Sequence, residues 1–113
     1  EEHFKHHLIE DRMVVKTIVP AIKLNQLIEK YHKFYFNLLQ IDTEGYDSEI
    51  IQSLNFNKYK IEIIKFEHIN LTSAEIRKTV LLLLKNFYLV AKDRDDLIAV
   101  KLTLFLKLIF SSR

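Results

Sequence analysis

The 113-residue sequence has no cysteine, no tryptophan, one glycine and one proline. Without cysteine there is no disulfide framework and no thiolate metal site. That composition suits a reducing compartment, and a cytoplasmic location is expected. A single glycine and a single proline leave little room for a linker, so one unit rather than two domains is expected. Charge of either sign is nearly cancelled: 17 Lys and Arg face 15 Asp and Glu, interspersed along the chain. The net charge of +2 is too weak a bias for a nucleic-acid surface. Long apolar runs are also scarce. The most apolar stretch, Leu97 to Phe110, is interrupted by Lys101 and Lys107. It falls short of the roughly 20 residues of a spanning helix, so no membrane partner is expected. The chain opens Glu1-Glu2 with no initiator Met and no signal-like segment, which predicts a piece of a longer protein.

What is present suffices for a core. A chain of this size buries roughly two-thirds of its unfolded surface, and 49% of its residues are hydrophobic. Val14 to Val19 is β-branched, stops at Pro20 and reads as a strand. Ile22 to Tyr35 puts Leu24, Leu27, Ile28, Tyr31, Phe34 and Tyr35 on one helical stripe. Phe36 to Ile41 is apolar on both faces, as buried parallel strands are. Asp47 or Ser48 can cap a short helix to about Leu54, and Ile61 to Phe66 is the next strand. Thr72-Ser73-Ala74-Glu75 is a capping box, opening a helix with Ile76, Val80, Leu83, Leu84 and Phe87 inward. Phe87 to Ala91 and Leu97 to Leu102 flank the polar turn Lys92 to Asp96, a β-hairpin pattern. The tail from Leu97 to Phe110 fits either a long extended segment or a turn into a short helix. Two β–α units and a closing antiparallel hairpin make the second half of a doubly wound α/β sheet.

The polar residues of interest cluster where such a sheet binds ligands, at the carboxyl ends of its strands. Asp42 and Glu44 follow the first apolar run, and period-two spacing puts both carboxylates on one side of an extended segment. One could accept a proton while the other binds a hydroxyl, an amine or a divalent cation. Equally, Asp42 could simply end a strand and Glu44 lie solvated beside the turn. Gly45 suits a positive φ angle or a close backbone approach. Tyr46 either covers a pocket mouth or packs on the adjoining helix. Glu67 and His68 end the neighbouring strand, which in a parallel sheet brings them beside Asp42 and Glu44. A histidine there could orient a substrate or act as a base near neutral pH, or it could be a loop surface residue. His3, His6 and His7 invite a metal reading, but no third ligand is defined and no metal site is expected. Lys58, Lys60, Lys65, Arg77 and Lys78 are scattered among acids and read as solvated surface.

The segment Asp42-Thr43-Glu44-Gly45-Tyr46-Asp47 resembles the Asp-x-Glu-Gly-Tyr-Glu signature of FkbM-type S-adenosylmethionine-dependent methyltransferases. The order Val15-Lys16-Thr17-Ile18, Lys23 to Tyr31, Leu39 to Asp47, Ile63 to His68 and Asn86 to Lys101 follows that family, covering residues 14 to 101. Asp47 departs from it, standing where the family usually has Glu. The resemblance implies a partial Rossmann-like fold, the second half of a class I methyltransferase domain. It also implies S-adenosylmethionine as cofactor and O-methylation of a small molecule or sugar. Asp42 and His68 are then the catalytic candidates, with Glu44, Gly45, Tyr46 and Glu67 binding cofactor or substrate. A one-glycine chain cannot supply the family's glycine-rich cofactor loop. Residues 1 to 113 are therefore expected to be a single partial domain, inactive alone and prone to self-association through an exposed sheet edge. A non-catalytic interaction module built on the same fold is the competing expectation.

Overall fold

The computed structural model describes residues 14–111. Residues 14 to 23 are exposed and carry no regular structure, so the strand expected at Val14 to Val19 does not form. The physical reason is the lack of a pairing neighbour. β-branched residues favour strands through packing on a sheet, and Val15 and Ile18 are 85% and 101% exposed. The helix that follows, α1 (Leu24–Lys30), is shorter than its apolar stripe. It stops where His32 takes a φ of 51°. Phe34 and Tyr35 leave the helix because the sheet claims them. The Phe34 carbonyl accepts the Lys60 N–H at 2.7 Å, and its ring stacks on Tyr59.

The chain then runs β1 (Tyr35–Ile41), α2 (Asp47–Ser53), β2 (Lys60–Glu67), α3 (Ser73–Lys85), β3 (Tyr88–Asp93), β4 (Asp96–Lys101) and α4 (Leu102–Ser111). The strands form one sheet in the order β1-β2-β4-β3. β1 and β2 are parallel, with Phe36 opposite Ile61 and Ile41 opposite Phe66. β4 is antiparallel to both β2 and β3. The result is a mixed α/β fold of four strands and four helices among the described residues, two β–α units closing in an antiparallel hairpin.

By register, Ile41, Ile64, Phe66, Tyr88, Leu97 and Ala99 share one sheet face, and all are buried. With Ile51 and Leu54 around α2 and Leu83 of α3 they form the core. Burying one such side chain fully contributes about 1.5–3 kcal/mol. Two hydroxyls sit inside this layer as a pair. Ser48 Oγ and Thr79 Oγ1 are 2.7 Å apart, joining α2 to α3, so neither is left unsatisfied. Thr79 therefore holds an inward position of α3. Leu84 and Phe87, expected inward, are 48% and 69% exposed. The capping box forms as expected, with Glu75 Oε2 accepting the Thr72 N–H at 2.7 Å.

The hairpin strands reach further than the turn residues suggest, leaving Arg94 and Asp95 as the connection, with Arg94 at φ 54°. A Lys65–Asp96 ion pair at 2.9 Å spans β2 and β4. The apolar tail turns helical after Lys101, and no residue of α4 is buried. Among the described residues, no helix is long and apolar enough to cross a membrane.

Candidate functional site

Because β1 and β2 are parallel, their carboxyl ends lie side by side. The β1–α2 loop and the β2–α3 loop therefore meet at one sheet edge. Glu44 and Gly45 are consecutive left-handed residues, at φ 54° and φ 112°, and they fold the first loop back on itself. At Gly45 a Cβ would lie 3.4 Å from the Asn70 carbonyl oxygen. Of the two uses expected of the glycine, the positive φ is the one that requires it, since a Cβ there would only touch the second backbone.

Asn70 joins the two loops chemically. Its Nδ2 donates to Glu44 Oε2 at 3.0 Å and to Glu67 Oε2 at 2.9 Å. Carboxylate oxygens of Asp42, Glu44 and Glu67 all lie within 4.8 Å of one another. Asp42 and Glu44 are exposed, whereas Glu67 is half-buried. Burial pushes the Glu67 carboxyl above the ordinary carboxylate range. The Asn70 amide opposes that shift, and the negative charges of Glu44, Asp42 and Asp47 reinforce it. Such a carboxyl takes up a proton more readily than an isolated one. An acidic cluster of this kind can receive hydroxyl or ammonium groups. Three carboxylates could also face a hard cation, but nothing else about the cluster favours one and no metal is assigned to it.

Beneath the cluster lies Asp47, fully buried. Its Oδ2 accepts from the Thr43 N–H at 3.2 Å and the Thr43 hydroxyl at 2.6 Å. Its Oδ1 accepts from the Glu67 N–H at 3.1 Å. As a sequence letter Asp47 reads as a helix cap, yet Tyr46 is the N-cap of α2 and Asp47 instead ties the β1–α2 loop to the end of β2. Its only signal was its place at the family's Glu position. Asn70 carried no signal, since an asparagine in a short loop is unremarkable.

His68 is placed differently from the acids. Its Nε2 lies 3.1 Å from the Arg94 carbonyl, and its backbone N–H donates to Asp95 at 2.9 Å, so its ring is engaged with the β3–β4 turn. Tyr46 is 62% exposed rather than packed on α2. It borders a groove of about 950 Å³ that runs from α1 to Asp42 at the end of β1. Two of the surface lysines, Lys58 and Lys65, are paired with Glu29 and Asp96. His3, His6 and His7 lie outside the described residues.

The profile of the methyltransferase FkbM domain matches residues 1–90 of this chain. That match takes in the whole acidic cluster, the Asp47 bridge and the start of β3. The chain belongs to the FkbM methyltransferase domain family. No curated relative and no solved structure matches it. Within this FkbM domain, the matched region ends inside the hairpin, so β4 and α4 lie beyond it.

Proposed function

We propose that this FkbM domain takes part in S-adenosylmethionine-dependent O-methylation of a small molecule or sugar at the carboxyl ends of β1 and β2. The observation that carries the reading is the convergence of Asp42, Glu44 and Glu67 at the meeting point of two parallel strands. The donor set is compatible with the cofactor's cationic end, since carboxylates stabilise a sulfonium or ammonium group. The fit extends no further, because one glycine cannot build a glycine-rich loop for the rest of the cofactor. When bound, the cofactor supplies an electrophilic methyl group.

The chain's own residues do the remaining work. Asp42, exposed at the strand end, accepts the proton of the acceptor hydroxyl as it becomes a nucleophile. Glu44 and Glu67, tied together by Asn70, hold neighbouring hydroxyls of the acceptor and fix its orientation. We place Asp42 rather than His68 as the proton acceptor, because Asp42 lies in the acidic cluster whereas the His68 ring is turned to the Arg94 carbonyl of the β3–β4 turn. A cysteine-free composition supports a cytoplasmic setting for this chemistry.

The test is methyl transfer from labelled S-adenosylmethionine by the full natural polypeptide, against a panel of sugars and hydroxylated small molecules. Asp42→Asn is expected to lower turnover by about a hundred-fold or more, a general-base loss, with the melting temperature little changed. Full turnover in that variant would defeat the reading.

A further inference from the structure

We infer that Asp47 is a positioning residue, a buried carboxylate that sets the spacing between Asp42 and Glu67. The inference rests on the functional reading above. Asp42 and Glu67 belong to different strand ends, and nothing in the β1–β2 ladder beyond Ile41 and Phe66 ties those ends together. Asp47 does so with both of its oxygens. One takes the Thr43 N–H and hydroxyl in the loop that carries Asp42, and the other takes the backbone N–H of Glu67 itself.

A helix cap would not need this arrangement. A capping side chain accepts from the helix's own first N–H groups, whereas all three donors to Asp47 lie outside α2. A fully buried carboxylate is costly unless its hydrogen bonds are filled, and in this fold three donors fill them. Asp47 also starts α2, whose next residue, Ser48, is paired to Thr79 on α3. That pair packs α2 on α3 and supplies none of the three bonds of the clamp. Asn70 makes a second, outer link through the side chains of Glu44 and Glu67. The inner link holds backbone and the outer link holds carboxylates.

The experiment compares Asp47→Asn, Thr43→Ala and Thr79→Val with wild type in the full natural polypeptide. The Asp47→Asn change keeps the volume but presents a donor where the carboxylate accepted. We expect kcat to fall about ten- to a hundred-fold, the cost of a misplaced reacting group, with a smaller rise in KM for the methyl donor. Thr43→Ala removes only the 2.6 Å hydroxyl bond from an exposed residue. It should lower kcat by a smaller factor, and it serves if Asp47→Asn fails to fold. Thr79→Val breaks a buried bond outside the clamp and should lower the melting temperature while kcat stays at the wild-type value. Amide hydrogen exchange gives a readout without turnover. Thr43 and Glu67 should lose protection in Asp47→Asn while Ile64 keeps it. Unchanged kcat and unchanged exchange in Asp47→Asn and Thr43→Ala would overturn the inference, as would an equal loss of kcat in Thr79→Val. If Asp42→Asn leaves turnover intact, the functional reading fails instead, and the exchange data alone then judge the clamp.

Discussion

Gly45 and Asn70 come within van der Waals reach of each other across two loops, since a Cβ on the glycine would sit 3.4 Å from the asparagine carbonyl oxygen. The same asparagine ties Glu44 to Glu67. Gly45→Ala therefore strikes the loop through its backbone. An L side chain at φ 112° is strained, while the new methyl group makes only ordinary contact with Asn70. We expect a stability loss of about 1–3 kcal/mol, read as a lower denaturant midpoint. Turnover per folded molecule should fall as well. A variant with wild-type stability and turnover would mean that the loop tolerates an L side chain at this φ.

Glu67 makes a separate prediction, with opposite signs for stability and activity. Its carboxyl is raised by burial and by neighbouring negative charges, so the folded state binds its proton more tightly than the unfolded state does. Stability then falls as pH rises through the ordinary carboxylate value and the raised folded value. Glu67→Gln removes that penalty and can still accept from Asn70. Its melting temperature should exceed wild type near neutral pH, with the gap closing on acidification. Acceptor KM should rise. A lower melting temperature at neutral pH would show that the ionised carboxylate is an asset to the fold.

Glu75 shows the reverse sign. The Thr72 backbone N–H and then the Thr72 hydroxyl hold its carboxyl below the ordinary range. Its contribution is fully present above the unfolded value and is lost as pH falls through the lower folded value. Thr72→Ala should cost about 1 kcal/mol through the lost cap. It should also weaken the acid-side dependence that Glu75 contributes. Circular dichroism melts across acidic pH would check both, and a pH dependence identical to wild type would contradict the capping role.

How far the letters lead depends on whether the decisive interaction is local. The strand at Phe36 to Ile41, of which only Ile41 is buried and not both faces as expected, and the box Thr72 to Glu75 are legible because a strand's apolar run and a reciprocal cap leave patterns within a few residues. Val15 and Ile18 mislead for the same reason, as their β propensity is real but no partner strand accompanies it. Leu84 and Phe87 continue the apolar stripe of α3, yet Thr79 takes an inner place through a partner 31 residues away. Asp42, Glu44, Gly45 and Glu67 could be nominated from strand ends, and the parallel register brings the three acids together. The links that organise them could not be read. Asp47 to Glu67 and Asn70 to Glu44 span 20 and 26 residues, and only the tertiary fold makes them neighbours.

Self-association is expected of the isolated 113-residue chain. Among the described residues β1 pairs only with β2, so its other edge offers backbone N–H and C=O groups to a further strand. Leu38 on that strand is 52% exposed. α4 adds an apolar surface, since Phe105, Leu106, Leu108, Ile109 and Phe110 are all at least 40% exposed. Contiguous apolar area of that kind is uncommon on a soluble monomer. The two surfaces predict different responses to mutation. If α4 drives association, Leu108→Lys with Phe110→Ser should shift the chain towards monomer in sedimentation velocity. If the β1 edge drives it, those changes should have little effect, whereas Leu38→Pro should break pairing along that edge. A wild-type chain that sediments as a stable monomer at micromolar concentration would exclude both routes.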